Sequence, residues 1–335
     1  MQKYILKRLL WMIPTLVGLS LLIFLLSRLM PGDSVRLAAG TDATAEQIAA
    51  LEEKMGLNQP LYVQYFKYMF GLFRGDWGYS LRTQHNVFTD IRNTFAATFE
   101  LSLCSMILAV LIGVPLGVLA AVKNNKFADH FIRIFSLSGI ALPRFWLAIL
   151  FQLMFSYVLA LFPVIGRGDI VPRTITGLRI VDSLITFNFP ALLDSIKHII
   201  LPAISLSIAS AAQIMRLTRT SMMEQLNKEY ITAAFSYGLP QNLITNKYML
   251  KNAFISVLTT IGMQFGSLIG NAFLVETVFG WPGMAQYSIS GLLYKDYNAI
   301  IGVTLVIGIL FALINLAVDL AYGLLDPQIR LGKEA

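Results

Sequence analysis

The residues best suited to a specific chemical task lie at 229–240, in the sequence EYITAAFSYGLP between two strongly apolar stretches. Glu229 stands where the positive end of a helix dipole would stabilise a carboxylate. Ala233 and Ala234 leave a low surface on which another protein can pack closely. Gly238, followed by Leu-Pro, ends one helix and starts the next. The segment predicts a short helical hairpin outside the lipid. On chemistry alone, it is either a docking element or a plain loop between two membrane helices.

Signatures of catalysis and metal binding are missing from the sequence. It contains no G-x-x-x-x-G-K loop, no H-E-x-x-H and no G-x-S-x-G. The three histidines, His85, His130 and His198, are scattered, so no metal-ligand spacing appears. Cys104 is the only cysteine, which excludes an internal disulfide and a thiolate cluster. We therefore expect no catalytic residue, metal or cofactor in this chain, and any energy source in another subunit.

The composition indicates an integral membrane protein. Of 335 residues, 56% are hydrophobic and 13% charged, and the mean hydropathy is +0.66. A soluble chain carries about 25% charged residues. Six uncharged runs are each close to the ~20 residues that cross about 30 Å of hydrocarbon as a helix. They are residues 9–27, 101–122, 145–166, 198–215, 252–275 and 297–318. The prediction is an all-α integral membrane fold with six transmembrane helices.

A seventh uncharged run, 277–294, differs in composition. It contains GWPG at 280–283 and several Ser, Tyr and Gln residues. Glycine and proline break the helix, and irregular backbone at membrane depth must be buried in protein. We predict a bent segment, interfacial or buried in protein, rather than a seventh span.

The placement of charge predicts orientation rather than nucleic-acid binding. The net charge is +7, but the basic residues cluster at the ends of apolar runs. They precede the first run, follow the second and lie between the fourth and fifth, which makes those sides cytoplasmic by the positive-inside tendency. Six spans then place both termini in the cytoplasm, with lipid as the surrounding partner and no nucleic acid.

We divide the chain into a first transmembrane helix (1–30), an external subdomain (31–96) and a core of five transmembrane helices (97–335). The core carries the cytoplasmic hairpin, 222–251. The external segment is expected to contain a short polar helix over 44–55 and an aromatic stretch after it.

Several single residues carry local expectations. Gly113 and Gly117 permit close packing of the second span. Pro143 is expected to kink the third helix. Glu100, at the outer edge of the second span, is expected at a solvated helix start, and Asp319 is expected to pack near the cytoplasmic interface.

Ordered motifs run along essentially the whole chain. They are PGD at 31–33, GDWGYS at 75–80, GVPLG at 113–117, RLTRTSM at 216–222, ETVFGWPG at 276–283 and DLAYGLLDPQIR at 319–330. In this order they resemble the membrane permease subunits of bacterial ABC importers for peptides and nickel, in the dipeptide permease B-like branch. The resemblance implies the type I ABC importer permease fold.

The resemblance also assigns the hairpin. In that family it carries the EAA motif and is the coupling helix that docks into a groove on a cytoplasmic ATPase. The docking residues implied here are Glu229, Tyr230, Ala233, Ala234, Gly238 and Leu239. Phe235 and Tyr237 depart from the usual Arg and Lys, which indicates a more apolar socket, and Ser256 replaces a usual proline.

The implied function is the channel-forming subunit of an ATP-driven importer of dipeptides or short oligopeptides in the bacterial inner membrane. It would work by alternating access with a homologous second permease subunit. Two ABC ATPase subunits would bind the ATP, and an extracytoplasmic substrate-binding protein would deliver the peptide.

Three alternatives remain open from the sequence. One is a permease for nickel, a metallophore or haem, since those permeases share the motifs, although no cluster of His, Met or acidic residues in the spans favours a metal. Another is a membrane scaffold that transports nothing. The third, an intramembrane enzyme, is disfavoured because no nucleophile–base or metal-ligand pair falls on a span.

Overall fold

A computed structural model describes residues 2–29, 43–56 and 58–325 of the protein, and the described chain is helical. Its helices in order are α1 (Gln2–Leu29), α2 (Ala45–Met55), α3 (Leu61–Phe73), α4 (Val87–Val122), α5 (Phe127–Ala141), α6 (Arg144–Phe151), α7 (Arg179–Ile185), α8 (Phe189–Leu226), α9 (Glu229–Ser236), α10 (Gln241–Leu243), α11 (Lys251–Val278), α12 (Met284–Leu293) and α13 (Tyr297–Leu325). Two π-helical segments, Gln152–Val158 and Ile244–Leu250, extend α6 and precede α11. The PGD motif at 31–33, the side chain of Asp319 and the end of the closing motif lie outside the described residues.

Four helical stretches are long and apolar enough to cross a membrane. They are Val87–Val122, Phe189–Leu226, Gln241–Val278 and Tyr297–Val318. The α5–α6 pair makes a fifth if its bent halves form one span, and α1 contributes a shorter apolar stretch, Leu10–Leu26. Five of the six predicted runs lie wholly on these helices, and the third, 145–166, begins on α6 and continues past the end of its π-helical segment at Val158. The predicted all-α membrane class is confirmed.

The third predicted helix is sharply bent at its proline. α5 ends at Ala141, Leu142 is extended at φ −80° and ψ 130°, and α6 begins after Pro143. The two halves differ in direction by 101°. A residue before proline is pushed out of the helical region, so the predicted kink is confirmed and its physical cause is the Leu142–Pro143 step.

The centre of the fold is α8, which packs closely along α4. A Cβ atom on Gly113 would lie 2.8 Å from the carbonyl oxygen of Ala211, and one on Gly117 would lie 2.6 Å from that of Met215. Only glycine permits backbones to approach this closely. The predicted close packing of the second span is confirmed, and its partner is α8.

The GWPG segment is bent, as predicted, with Trp281 and Gly283 buried in protein and Pro282 exposed, and a carboxylate organises it. Glu276 is fully buried and accepts hydrogen bonds from Thr98 Oγ1 (2.6 Å) and from the amides of Ala285 (3.0 Å) and Gln286 (3.2 Å). The last two belong to the first turn of α12, where a carboxylate is stabilised by the helix dipole. Trp281 is also buried, and its indole nitrogen donates to the carbonyl of Ala97 (2.9 Å).

The expectation for Glu100 is wrong. Glu100 is 3% exposed and accepts hydrogen bonds from Arg167 Nε (3.1 Å) and the amide of Ile180 (2.8 Å). The reason is that α4 begins at Val87, where Asn86 accepts a hydrogen bond from the amide of Phe88, well before the predicted start. Glu100 therefore lies inside the helix, under the loop between α6 and α8.

A second buried carboxylate shapes the same loop. Asp182 accepts hydrogen bonds from the amides of Ile175 (3.2 Å), Thr176 (2.8 Å) and Gly177 (3.0 Å). Burial acts to raise the pKa of Asp182, but these hydrogen bonds hold it below its ordinary value. The loop is thus folded around two satisfied carboxylates.

The predicted polar helix of the external segment is present as α2. Thr44 caps it, accepting a hydrogen bond from the amide of Gln47 (3.3 Å), whose side chain accepts one from the amide of Thr44 (3.0 Å). The next helix, α3, returns to α1, where the hydroxyls of Tyr65 and Ser20 lie 2.8 Å apart. The aromatic stretch is therefore anchored on the first membrane helix.

Replacement of Gly117 by alanine tests the α4–α8 packing. The new Cβ would meet Met215 O and Thr218 Cβ, both at 2.6 Å, so the helices must separate. We expect a free energy of unfolding lower by about 1–3 kcal/mol, the usual cost of overpacking. Gly270→Ala is the matched control, because no atom lies within 4 Å of the new Cβ. Equal melting temperatures of the two variants in detergent would contradict the close-packing role.

Candidate functional site

The hairpin predicted from sequence is present after the end of α8. α9 occupies Glu229–Ser236, and Gly238 follows with φ +70°. This left-handed conformation suits glycine and reverses the chain. Pro240 then opens α10, which continues through the π-helical segment into α11.

The inner face of the hairpin packs on the rest of the chain. Ile231 and Ala234 are buried in an apolar cluster with Met222 and Ile244, and Leu239 packs against it. Ala234 and Leu239, two of the predicted docking residues, therefore contact the hairpin's own core. Their small or flexible side chains hold α9 against the ends of α8 and α11.

The outer face of the hairpin is open to solvent. Exposed residues include Glu229, Tyr230, Ala233 and Gly238, the other four predicted docking residues. The Tyr230 hydroxyl donates to Gln225 Oε1 (2.6 Å) and accepts from Asn252 Nδ2 (3.0 Å). Tyr230 thus links the end of α8 to the start of α11 while remaining accessible.

Two exposed aromatic side chains flank this face. Phe235 is 49% exposed and Tyr237 is 85% exposed. Exposed rings beside the low surface of Ala233 form a small apolar patch at the hairpin tip, with the carboxylate of Glu229 at the other end of α9. A surface with these features can bind a protein groove that is mainly apolar and holds one basic group.

An ion pair that the sequence reasoning missed braces the base of the hairpin. Asp129, fully buried at the start of α5, accepts hydrogen bonds from Arg219 Nε (2.6 Å) and Nη2 (2.8 Å). The same guanidinium donates to Asn124 Oδ1 (3.0 Å), and the amide of Asn125 donates to Asp129 (3.0 Å). The only signal was Arg219 in the RLTRTSM motif, because its partner lies 90 residues away.

Across residues 2–29, 43–56 and 58–325, no group of three or more His, Cys, Asp and Glu side chains could hold a metal ion. His198 Nδ1 lies 2.8 Å from the carbonyl oxygen of Asp194, and His130 contacts Arg133, so the two histidines serve local contacts.

Comparison with known families matches both parts of the chain. Residues 113–331 match the family "Binding-protein-dependent transport system inner membrane component", and residues 1–102 match the corresponding N-terminal family. The chain belongs to this transport family. It is a multi-pass inner-membrane permease subunit.

Full-length relatives of this permease carry transport names. It is 41% identical over 334 residues to the dipeptide transport system permease protein DppB of Alkalihalophilus pseudofirmus, covering 98% of this chain and 100% of the relative. It is 38% identical over 332 residues to the probable D,D-dipeptide transport system permease protein DdpB of Escherichia coli K12, covering 98% of both. It is 36% identical over 330 residues to the glutathione transport system permease protein GsiC of Salmonella typhimurium, covering 98% and 99%.

A solved structure gives the fold. The permease aligns with a chain of the MetNI methionine ABC transporter in an inward-facing conformation, with a TM-score of 0.50 and 18% identity. The alignment covers 69% of this chain and 93% of that one. At this identity the likeness concerns the fold alone, and it agrees with the type I importer permease fold predicted from the motifs.

Substitution of Arg219 tests the brace. Arg219→Met leaves Asp129 buried without its main partner, and we expect a loss of about 3 kcal/mol in the free energy of unfolding. The double variant Asp129→Asn/Arg219→Met removes both charges and is expected to be more stable than the single variant. Thermal unfolding in detergent compares them. A double variant no more stable than the single one would show that the ion pair does not brace the hairpin.

Proposed function

We propose that this permease is the channel-forming subunit of an ATP-driven importer of dipeptides or short oligopeptides. The observation that supports a peptide substrate is the alignment, over nearly the full length, with dipeptide permeases at 38–41% identity. A relative named for glutathione aligns over the same length, which favours short peptides as a class over one particular dipeptide.

The outer face of α9 is proposed to dock into the groove of an ABC ATPase subunit. Glu229 forms an ion pair with a basic group of the groove, and Ala233 permits close approach. Tyr230 and Gly238 complete the accessible face, while Ala234 and Leu239 keep it rigid from behind. Phe235 and Tyr237 stand where the family usually has basic residues, so the partner groove is proposed to be apolar at that point.

The assembly follows from this docking. Two ATPases bind ATP, and a homologous second permease completes a central path. A binding protein delivers peptide outside, and ATP binding favours one spacing of the two docked hairpins and so shifts the alternating-access equilibrium. We assign both termini to the cytoplasm, residues 31–96 to an external subdomain and 97–335 to the core.

The docking proposal predicts that changes on the outer face abolish coupling without unfolding the permease. Glu229→Lys and Ala233→Arg alter exposed side chains, and we expect loss of both peptide uptake and ATPase pull-down at normal membrane level. Lys126→Glu, an exposed charge reversal in the turn before α5, is the control and should retain both. If both variants keep the ATPase and transport at the parental rate, the docking assignment is wrong.

The cargo is tested separately. Cells in which this permease is the sole peptide importer should take up a labelled dipeptide, and unlabelled dipeptides and tripeptides should compete. Uptake of nickel or haem in place of peptide would support the importer part of the proposal and show that the substrate is not a peptide. No ATP-dependent uptake of any of these, despite a complete assembly, would favour the scaffold alternative.

A further inference from the structure

Helix α11 exposes one face that differs from the exposed face of α4 at the same depth. The positions recur at intervals of three and four residues, as one side of a helix does. We call this face the α11 stripe; Met263, Gly270, Asn271, Leu274 and Thr277 are exposed, and Ser267 is half-buried among them. Three of these side chains carry hydrogen-bonding groups, although the stripe runs through a stretch long and apolar enough to span the membrane.

The exposed face of α4 gives the comparison at the same depth. Thr98 of α4 is hydrogen-bonded to Glu276 of α11, which fixes the two helices relative to each other at this level. Ile107 lies nine residues inward from Thr98 and Ser267 nine residues inward from Glu276, or about 13 Å along each helix. The exposed side chains of α4 around that level are purely aliphatic. They are Ile107, Leu111 and Ile112.

Asn271 marks the stripe most clearly. It is exposed, and its Nδ2 donates to the carbonyl oxygen (2.7 Å) and Oγ (3.1 Å) of Ser267. Its amide oxygen accepts no hydrogen bond from the part of the chain that the structure describes. Hydrocarbon would leave that oxygen unsatisfied, so lipid is a poor neighbour for this face.

Polar character also continues behind the stripe. Gln264 of α11 donates to Gln213 of α8 (2.7 Å) and accepts from Ser210 (3.1 Å). These groups lie between the two central helices of the fold. Gln264 lies seven residues from Asn271, on the same side of α11 and about 10 Å along the helix. Polar groups that recur along one side of a membrane helix, with an open amide among them, are typical of the wall of a water-filled path.

We propose that the α11 stripe lines the transport path and that the Asn271 amide binds the backbone of the passing peptide. A primary amide both donates and accepts, as a peptide bond does. It can therefore bind any peptide backbone whatever its side chains, and without a charge it does not select the cargo by charge. The cargo in this inference rests on the proposed function; the position of the stripe does not.

Cysteine labelling tests the position. Cys104 is the only native cysteine, so Cys104→Ala gives a background for Asn271→Cys, Ser267→Cys and the control Ile107→Cys. A charged, membrane-impermeant methanethiosulfonate is applied to the assembled importer in right-side-out and inside-out vesicles. Because thiolates form in water and not in hydrocarbon, we expect Asn271→Cys to react at least about tenfold faster than Ile107→Cys. If Asn271→Cys and Ile107→Cys reacted at equal rates, in right-side-out and in inside-out vesicles alike, the proposal would be overturned.

Transport tests the contact. Asn271→Leu is expected to raise the KM for a transported dipeptide about fivefold, the effect of one lost hydrogen bond, and Asn271→Gln to restore much of it. The dipeptide should also slow labelling of Asn271→Cys. Parental KM in Asn271→Leu would overturn the peptide contact. Fast labelling in a permease whose parent imports no dipeptide would instead support the path and reject the cargo of the proposed function.

Discussion

Hydrocarbon supplies no hydrogen bonds, and this constraint explains how the permease is built. Each buried carboxylate described in detail above has partners within the chain. Glu276 caps α12, Glu100 binds the external loop, and Asp129 binds Arg219. Glu276 also binds Thr98, and the Glu276–Thr98, Glu100–Arg167 and Asp129–Arg219 contacts join elements 67 to 178 residues apart in sequence. Along α4 and α8, Gly113 and Gly117 permit close helix packing.

Features governed by local rules were predictable from the sequence. Apolar run length gave the membrane class, Pro143 gave the bend, and the Gly-Leu-Pro step gave the hairpin. Features governed by distant partners were not. Glu100 was expected in solvent because its partner, Arg167, is 67 residues away, and the loop that buries it has no regular pattern. The Asp129–Arg219 pair was missed for the same reason.

The hairpin shows how far residue types alone can predict the exposed face of a single helix. The alanine pair indicated a low docking surface, and adjacent positions on a helix face different directions. Ala233 therefore faces solvent while Ala234 packs inward on Met222 and Ile244. Which alanine points outward depends on how α9 rests on α8 and α11, and this is a tertiary property that residue types alone do not specify. The family resemblance had the same limit, because it assigned six positions to docking without separating the contact face from its support.

The connection between hairpin and path is covalent. From Gln241 to Val278 the chain is one continuous helical stretch, which includes the π-helical turn at Ile244–Leu250 and the α11 stripe. Asn271 lies 30 residues after Gln241, about 45 Å along such a helix. Under the proposed docking, a displacement of the hairpin is expected to reach the stripe through this continuous stretch. The π-helical turn interrupts the α-helix between the hairpin and the stripe, and such turns are frequent at functional sites. Force applied at α9 would thus reach the proposed path through the backbone itself.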